Sequence, residues 1–135
     1  MRKARSHQKL PTEWKEREVL RDKGQFWTPG WVADAMVAYV SENTDLVFDP
    51  ASGRGAFYKA LLKLNKPGIS FFGTDVDTEV LKDEIYNHNG CHVEKRDFIK
   101  DPPQRKFKAI VANPPYIRHH RLHEETKILL KQLSA

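Results

Sequence analysis

The sequence has a single cysteine, Cys91, and no long apolar run. One thiol excludes an internal disulfide and is typical of proteins in a reducing compartment. No stretch approaches the roughly 20 apolar residues of a membrane helix, and residues 1–24 lack the apolar core of a secretory signal. The sequence therefore predicts a cytoplasmic protein with no membrane partner.

The composition is that of a polar, weakly basic domain. Of the 135 residues, 39% are hydrophobic and 30% are charged, and the formal net charge is +5. A chain of this length supports one domain with one core. The charge permits a polyanionic partner but does not require one, because basic runs are more often solvated faces.

Strands and helices are expected to alternate after a basic tail and helix at residues 1–23. Thr28 is predicted to cap a helix with Pro29 in its first position. Its buried face is expected to carry Val32, Ala35, Met36, Tyr39 and Val40. Four strands and three further helices are predicted: strands 46–48, 69–77, 91–99 and 109–112, and helices 56–64, 78–88 and 123–133. This alternation predicts an α/β, Rossmann-like parallel sheet with helices on both faces.

A glycine-containing loop, "DPASGRGAF" at residues 49–57, connects the first strand to the next helix. Open parallel sheets bind ligands at such places, and Gly53 and Gly55 let a ligand approach the backbone closely. The third glycine of a dinucleotide-binding fingerprint would stand at position 58, which is Tyr58, and there is no P-loop. The loop therefore indicates either a ligand without a diphosphate or an ordinary tight turn.

Two aspartates are expected to face this loop. Asp75 follows Gly55 by 20 residues at the end of the second strand, where an acid can accept both ribose hydroxyls. Asp49 ends the first strand at the same crevice. These features suit a cationic nucleoside such as S-adenosylmethionine better than NAD; the alternative is that both aspartates only cap turns.

Five motifs in order carry a family resemblance: "GQFWTP", "DPASGRGAF", "GTDVD", "RDF" and "VANPPYI". Over residues 24–122 the chain resembles the gamma-class DNA adenine-N6 methyltransferases of restriction–modification systems. The resemblance implies a Rossmann-like methyltransferase fold that uses S-adenosylmethionine, truncated after the fourth parallel strand. Residues 24–135 would be a partial catalytic domain without its target-recognition region, completed by a downstream polypeptide. The substrate implied is double-stranded DNA with its target adenine flipped out of the helix.

The same resemblance implies which residues bind the cofactor. Its methionine part would contact Phe26, Trp27, Thr28 and Pro29, together with the glycine loop and so Asp49, Pro50, Ala51, Gly53 and Gly55. Asp75 would hold the ribose with Val76 beside the adenine ring. Asp97 would accept from the adenine amino group, and Phe98 would pack on the ring, although a plain core position suits Phe98 equally well.

The strand at residues 109–112 runs into Asn113, Pro114, Pro115 and Tyr116. An exocyclic amine on adenine is a poor nucleophile, and two acceptors on its hydrogens would favour a more nucleophilic form. The Asn113 side-chain oxygen and the Pro114 carbonyl are predicted to be those acceptors, because consecutive prolines fix the backbone in advance. Tyr116 would stack on the flipped base.

Basic residues follow this motif. Arg118, His119 and Arg121 are candidates for phosphate contact, and a solvated face is nearly as good an interpretation. His119 and His123 are four residues apart, but no carboxylate or cysteine set supports a metal site, so none is predicted. Two other functions stay open: a non-catalytic remnant or assembly module, and an enzyme acting on RNA adenine or protein glutamine.

Overall fold

The computed structural model describes residues 28–114 and 124–134, which belong to two different compact units. The tail and helix predicted for residues 1–23 lie outside the described residues. In the first unit the helices are α1 (Gly30–Val40), α2 (Ala56–Leu64) and α3 (Thr78–Leu81), with a 3-10 turn at Glu84–Tyr86. The strands are β1 (Leu46–Asp49), β2 (Ser70–Asp75) and β3 (Cys91–Lys95). The described part of the second unit is α4 (Glu124–Ser134).

The sheet is parallel, in the order β1-β2-β3. The predicted fourth strand lies beside β1 on the side away from β2, but it pairs only through an isolated parallel bridge between Phe48 and Ile110. Two backbone hydrogen bonds make this bridge: Phe48 N–H donates to Ala109 O at 3.0 Å, and Val111 N–H donates to Phe48 O at 2.9 Å. The parallel α/β architecture is confirmed, and the fourth strand is shorter than predicted.

One face of the sheet carries the main apolar core. Val47 and Phe71, neighbours in the ladder, are buried there against α1 and α2. The predicted buried face of α1 is partly wrong, because Ala33 and Val37 are the buried positions and Tyr39 is 82% exposed. The buried face is therefore rotated about the helix axis from the predicted one, and of the predicted residues Met36 and Val40 pack against the core.

The second face carries a row of rings instead of a helix of this unit. The Phe48 ring stacks on Phe107 at 4.2 Å between centroids and on Phe72 at 5.2 Å. The row continues from Phe72 to His92 at 5.6 Å. Within residues 28–114, the prediction of helices on both faces is therefore met on one face only.

Aspartates cut short two predicted elements. The helix expected at residues 78–88 starts at Thr78 as predicted, after Asp77, which accepts from Glu79 N–H. It ends at Leu81, because Asp83 accepts from Ile85 N–H and starts a separate 3-10 turn. The strand expected at 91–99 ends at Lys95. Asp97 Oδ1 then accepts from the backbone N–H groups of residues 99 and 100 and turns the chain. Short side-chain-to-backbone bonds prevailed over apolar periodicity in both places.

Gly55 ends the glycine loop in a left-handed conformation, with φ of 82°, immediately before α2. A Cβ here would lie 2.9 Å from the Ile85 side chain. Gly68 has a similar φ of 76°, but a Cβ there would meet nothing within 4 Å. Both positions require a left-handed backbone conformation, but only at Gly55 would an added side chain clash with a neighbour.

We expect Gly55→Ala to lower the free energy of unfolding by about 2–4 kcal/mol, because left-handed strain and a steric clash add together. The control Gly68→Ala should lose only about 1 kcal/mol, from backbone strain alone. Urea denaturation of both variants measures the difference. Equal losses of unfolding free energy in the two variants would show that the Ile85 side chain moves away from the added methyl group without a measurable penalty.

Candidate active site

The carboxyl ends of β1, β2 and the bridging segment meet at one edge of the sheet. Asp49 ends β1, Asp75 ends β2, and Asn113 follows the bridging residue Ile110 by three positions. The glycine loop leaves the same edge. The structure therefore brings together the three side chains on which the predicted site depends.

The glycine loop is fixed by bonds to both aspartates. Ala51 N–H donates to Asp49 Oδ1 at 3.1 Å, and Gly53 N–H donates to Asp75 Oδ2 at 2.8 Å. Asp75 Oδ1 also accepts from Asp77 N–H at 2.9 Å. Both aspartates thus do hold turns, as one interpretation of the sequence required. A carboxylate oxygen has more than one acceptor position, so these bonds leave Asp75 able to receive a ribose hydroxyl.

Two further residues support the loop and were not identified from sequence. Thr74 lies inside β2, and its hydroxyl donates to Pro50 O at 2.9 Å. The Tyr86 hydroxyl donates to Gly53 O at 2.6 Å and to Ser52 O at 3.1 Å. The sequence did contain a signal for Thr74, which is a polar residue in an otherwise apolar strand, directly before Asp75. Tyr86 gave none, because it comes more than thirty residues after the loop.

Asp49 is the electrostatic centre of this edge. It is fully buried, and burial, with a smaller contribution from the nearby Asp75 charge, raises the pKa of its carboxyl to about 7 against the opposing hydrogen bond from Ala51. Among the described residues, Asp49 Oδ2 and Ser52 Oγ are buried atoms without a hydrogen-bond partner. A buried acid with an unused acceptor oxygen suits a cationic ligand, so these residues fit S-adenosylmethionine.

The predicted adenine-side residues lie beyond β2 and β3. Val76 is 57% exposed and Phe98 is 39% exposed, so both present apolar surface to solvent next to the strand ends. Phe98 also contacts the Phe48 ring at 6.0 Å, which makes it part core and part surface. Asp97 uses Oδ1 for its turn, and Oδ2 is the oxygen left for an adenine amino group.

Thr28 does not cap α1, contrary to the prediction. The helix begins at Gly30, and the preceding Pro29 serves as N-cap without a side-chain bond. The Thr28 hydroxyl instead accepts a hydrogen bond from Asn113 Nδ2 at 3.0 Å. The first and last predicted motifs therefore meet in space, although the two residues are 85 positions apart.

The remaining predicted residues lie outside the described residues: Phe26, Trp27, Pro115, Tyr116, Arg118, His119 and Arg121. In the described part of the chain, no group of three or more His, Cys, Asp or Glu side chains could hold a metal ion. None of the described helices is long and apolar enough to cross a membrane. A cavity of about 790 Å³ lies along the second face, lined in part by Phe72, His92 and Arg105, and none of the predicted site residues contributes to it.

Comparisons with known proteins bear on this site. A family model described as N-6 DNA Methylase matches residues 16–132. The type II methyltransferase M.HincII of Haemophilus influenzae is 30% identical over 112 residues, which are 82% of this chain and 20% of that protein. A release factor glutamine methyltransferase of Clostridium acetobutylicum is 27% identical over 100 residues, 67% of this chain and 35% of that protein. The chain thus spans about a fifth of the length of the type II methyltransferase.

A solved structure from Pyrococcus horikoshii, described as an RNA methyltransferase, superposes with a TM-score of 0.57. The match covers 82% of this chain and 58% of that chain, at 21% sequence identity. At that identity the likeness concerns the fold. It confirms the predicted Rossmann-like methyltransferase architecture.

The raised pKa of Asp49 gives stability a pH dependence of defined sign. The native state holds this proton up to about pH 7, whereas the unfolded chain releases it near 3.8, so stability falls as pH rises between these values. Asp49→Asn should remove this loss, and by pH 8 it should be more stable than wild type by at most roughly 4 kcal/mol. Urea denaturation from pH 4 to 8 measures the difference, with the exposed Asp45→Asn as control. Parallel curves for wild type and Asp49→Asn would contradict the assignment.

Removal of the Tyr86 hydroxyl should loosen the glycine loop. Tyr86→Phe leaves two loop carbonyls without this donor, so we expect a loss of about 1–3 kcal/mol in the free energy of unfolding. The control Tyr39→Phe changes an exposed ring and should stay within about 0.5 kcal/mol of wild type. Thermal and urea denaturation of both variants provide the measurement. A Tyr86→Phe variant as stable as the control would show that water replaces the hydroxyl at no cost.

Proposed function

Because the chain belongs to the N-6 DNA Methylase family, with S-adenosylmethionine as its cofactor, we propose that it holds the cofactor beside the amino group of an adenine in DNA for methylation at N6. The observation that carries this proposal is the parallel bridge between Phe48 and Ile110. It sets the strand that leads to Asn113 and Pro114 directly beside the strand that leads to the glycine loop. The amine acceptors and the cofactor loop thereby leave the sheet as neighbours.

We propose that the loop and its two aspartates form the cofactor side of the crevice. Asp49 supplies a buried carboxylate against the positive charge of the ligand, and its ionisation is favoured once that charge is present. Asp75 already orders the loop through Gly53 N–H, so the site is shaped before the ligand arrives. Val76, Asp97 and Phe98 lie at the ends of the next strands, where the adenine ring of the cofactor would rest.

Asn113 and Pro114 would activate the target amine. The Asn113 amide uses its NH₂ group on Thr28, which leaves its oxygen to accept one amine hydrogen. The Pro114 carbonyl accepts the second, and its direction is restricted because Pro115 follows in the sequence. The bound cofactor supplies an electrophilic methyl group. The amine nitrogen gains a bond to that methyl carbon and releases a proton, while the sulfur keeps the electron pair of the broken bond.

DNA recognition would need more surface than the described residues provide. The proposed steps are extrusion of the target adenine, stacking on Tyr116, and phosphate contact by Arg118, His119 and Arg121. The chain spans 20% of the type II methyltransferase it matches, and we propose that sequence recognition resides in a further polypeptide segment.

Protein glutamine is a second candidate substrate, favoured by the match to the glutamine methyltransferase. The glutamine side-chain amide also has a planar NH₂ group whose lone pair is delocalised, so the same two acceptors serve both substrates. The upstream aromatic-Thr-Pro element, which contributes Thr28 to this site, favours adenine.

Asn113→Ala should separate chemistry from cofactor binding. We expect its affinity for S-adenosylmethionine, measured by calorimetry, to stay within a few fold of wild type. Transfer of a deuterated methyl group to adenine in unmethylated duplex DNA should fall about 100-fold or more. The variant loses the Asn113 oxygen, whose hydrogen bond to the target amine stabilises the transition state of methyl transfer. Mass spectrometry of the digested nucleosides gives the rate, and the exposed Asn89→Ala provides the control.

Three other results would redirect the assignment. Activity retained in Asn113→Ala would show that another group accepts the amine hydrogen. Methylation of a glutamine peptide but not of DNA would favour the second substrate. Cofactor binding without transfer to any of these acceptors, also when the segment proposed to recognise the DNA sequence is supplied, would support an assembly module.

A further inference from the structure

We infer that Thr28, once its hydroxyl proton is given to bound cofactor, is a positioning residue that fixes the orientation of the Asn113 side-chain amide. This inference rests on the proposed function and names a second role for a residue predicted to bind cofactor. Its basis is the hydrogen bond from Asn113 Nδ2 to Thr28 Oγ1, at 3.0 Å. In this arrangement the NH₂ group faces Thr28 and the oxygen is left for the substrate.

The orientation of this amide decides whether the site works. A half-turn of the planar group exchanges its oxygen and its NH₂ group. In the reversed orientation, an amide donor would face the donor hydrogens of the target amine, and one of the two acceptors would be lost. Methyl transfer therefore requires a group that keeps the NH₂ turned away from the substrate.

The backbones of Thr28 and Asn113 are each restricted by their surroundings. Both precede a proline, Pro29 and Pro114, and the residue before proline is restricted to extended conformations. On one side, Pro29 O accepts from the backbone N–H groups of residues 32 and 33 at the start of α1. On the other, buried Val111 donates to β1 two residues before Asn113. The backbones that carry the hydroxyl and the amide are therefore held in place, while the contact between the two side chains is itself exposed.

The remaining hydroxyl proton links this contact to the cofactor. A threonine hydroxyl donates one hydrogen bond and accepts others, so Thr28 by itself tolerates either amide orientation. When its proton is given to an anionic acceptor, only the accepting role is left for Asn113. The amino-acid carboxylate of the cofactor would be such an acceptor, and Thr28 would then hold the Asn113 amide in the productive orientation.

Thr28→Val removes the hydroxyl and keeps the shape, whereas Thr28→Ser keeps the hydroxyl. At saturating cofactor, we expect Thr28→Val to lower kcat for methyl transfer roughly 10-fold, the rate equivalent of one neutral hydrogen bond. Thr28→Ser should restore most of the rate. In the Asn113→Ala background, Thr28→Val should cause no further loss of kcat. The exposed Thr78→Val serves as the matched control.

The contrary outcomes are distinct. If Thr28→Val raises only the KM for cofactor and leaves kcat intact, Thr28 serves the cofactor alone and the inference fails. A further loss of kcat in the Asn113→Ala background would also overturn it.

A second measurement tests the contact between Thr28 and Asn113 without relying on methyl transfer. The side-chain amide signals of Asn113, observed by NMR in the wild-type chain, should shift when S-adenosylmethionine is added. We expect the same shift in Thr28→Ser and a much smaller one in Thr28→Val at saturating cofactor. An identical response in all three proteins would overturn the inference, whatever the outcome for methyl transfer.

Discussion

The pairing of β1 with neighbours on both sides is the constraint on which this site depends. β2 lies on one side and the segment around Ile110 on the other, and all three run parallel. Parallel strands release their chains at the same edge of the sheet. Asp49, Asp75 and Asn113 therefore converge although they are far apart in sequence, and short-range turn chemistry needs only to set their final orientation.

The same edge carries an electrostatic cost in the protein without ligand. A buried carboxylate with an unused oxygen stands beside a second acid, and no described residue bonds to that oxygen. Such an arrangement lowers stability in return for affinity towards a cation. Neutralisation by a proton and neutralisation by a sulfonium ligand are thus alternatives at Asp49, so protons and cofactor compete for one carboxylate.

The α/β class, the three main strands, helix α2 and the placement of Asp49, Asp75 and Asn113 at one edge of the sheet were predicted correctly, because these follow from apolar runs that end at glycine, aspartate or Asn-Pro. Sequence reasoning failed where an aspartate side chain bonded to a nearby backbone N–H group, as at Asp83 and Asp97. It also misassigned the Thr28 hydroxyl to the helix start. Capping rules consider only hydrogen-bond partners a few residues away in the sequence. The actual partner of the Thr28 hydroxyl, Asn113, comes close only after the sheet has assembled.

The Tyr86 hydroxyl extends the glycine loop beyond its own segment. Through it, and through Thr74 and Asp75, residues 49–55 are bonded to β2 and to the 3-10 turn. We therefore expect the loop, β2 and the 3-10 turn to open together, since the loop cannot be exposed to solvent until its hydrogen bonds to the Tyr86 hydroxyl break. Amide hydrogen exchange in the loop should therefore follow the opening of the turn, so the order of the loop is governed by a segment outside the residues predicted to bind cofactor or DNA.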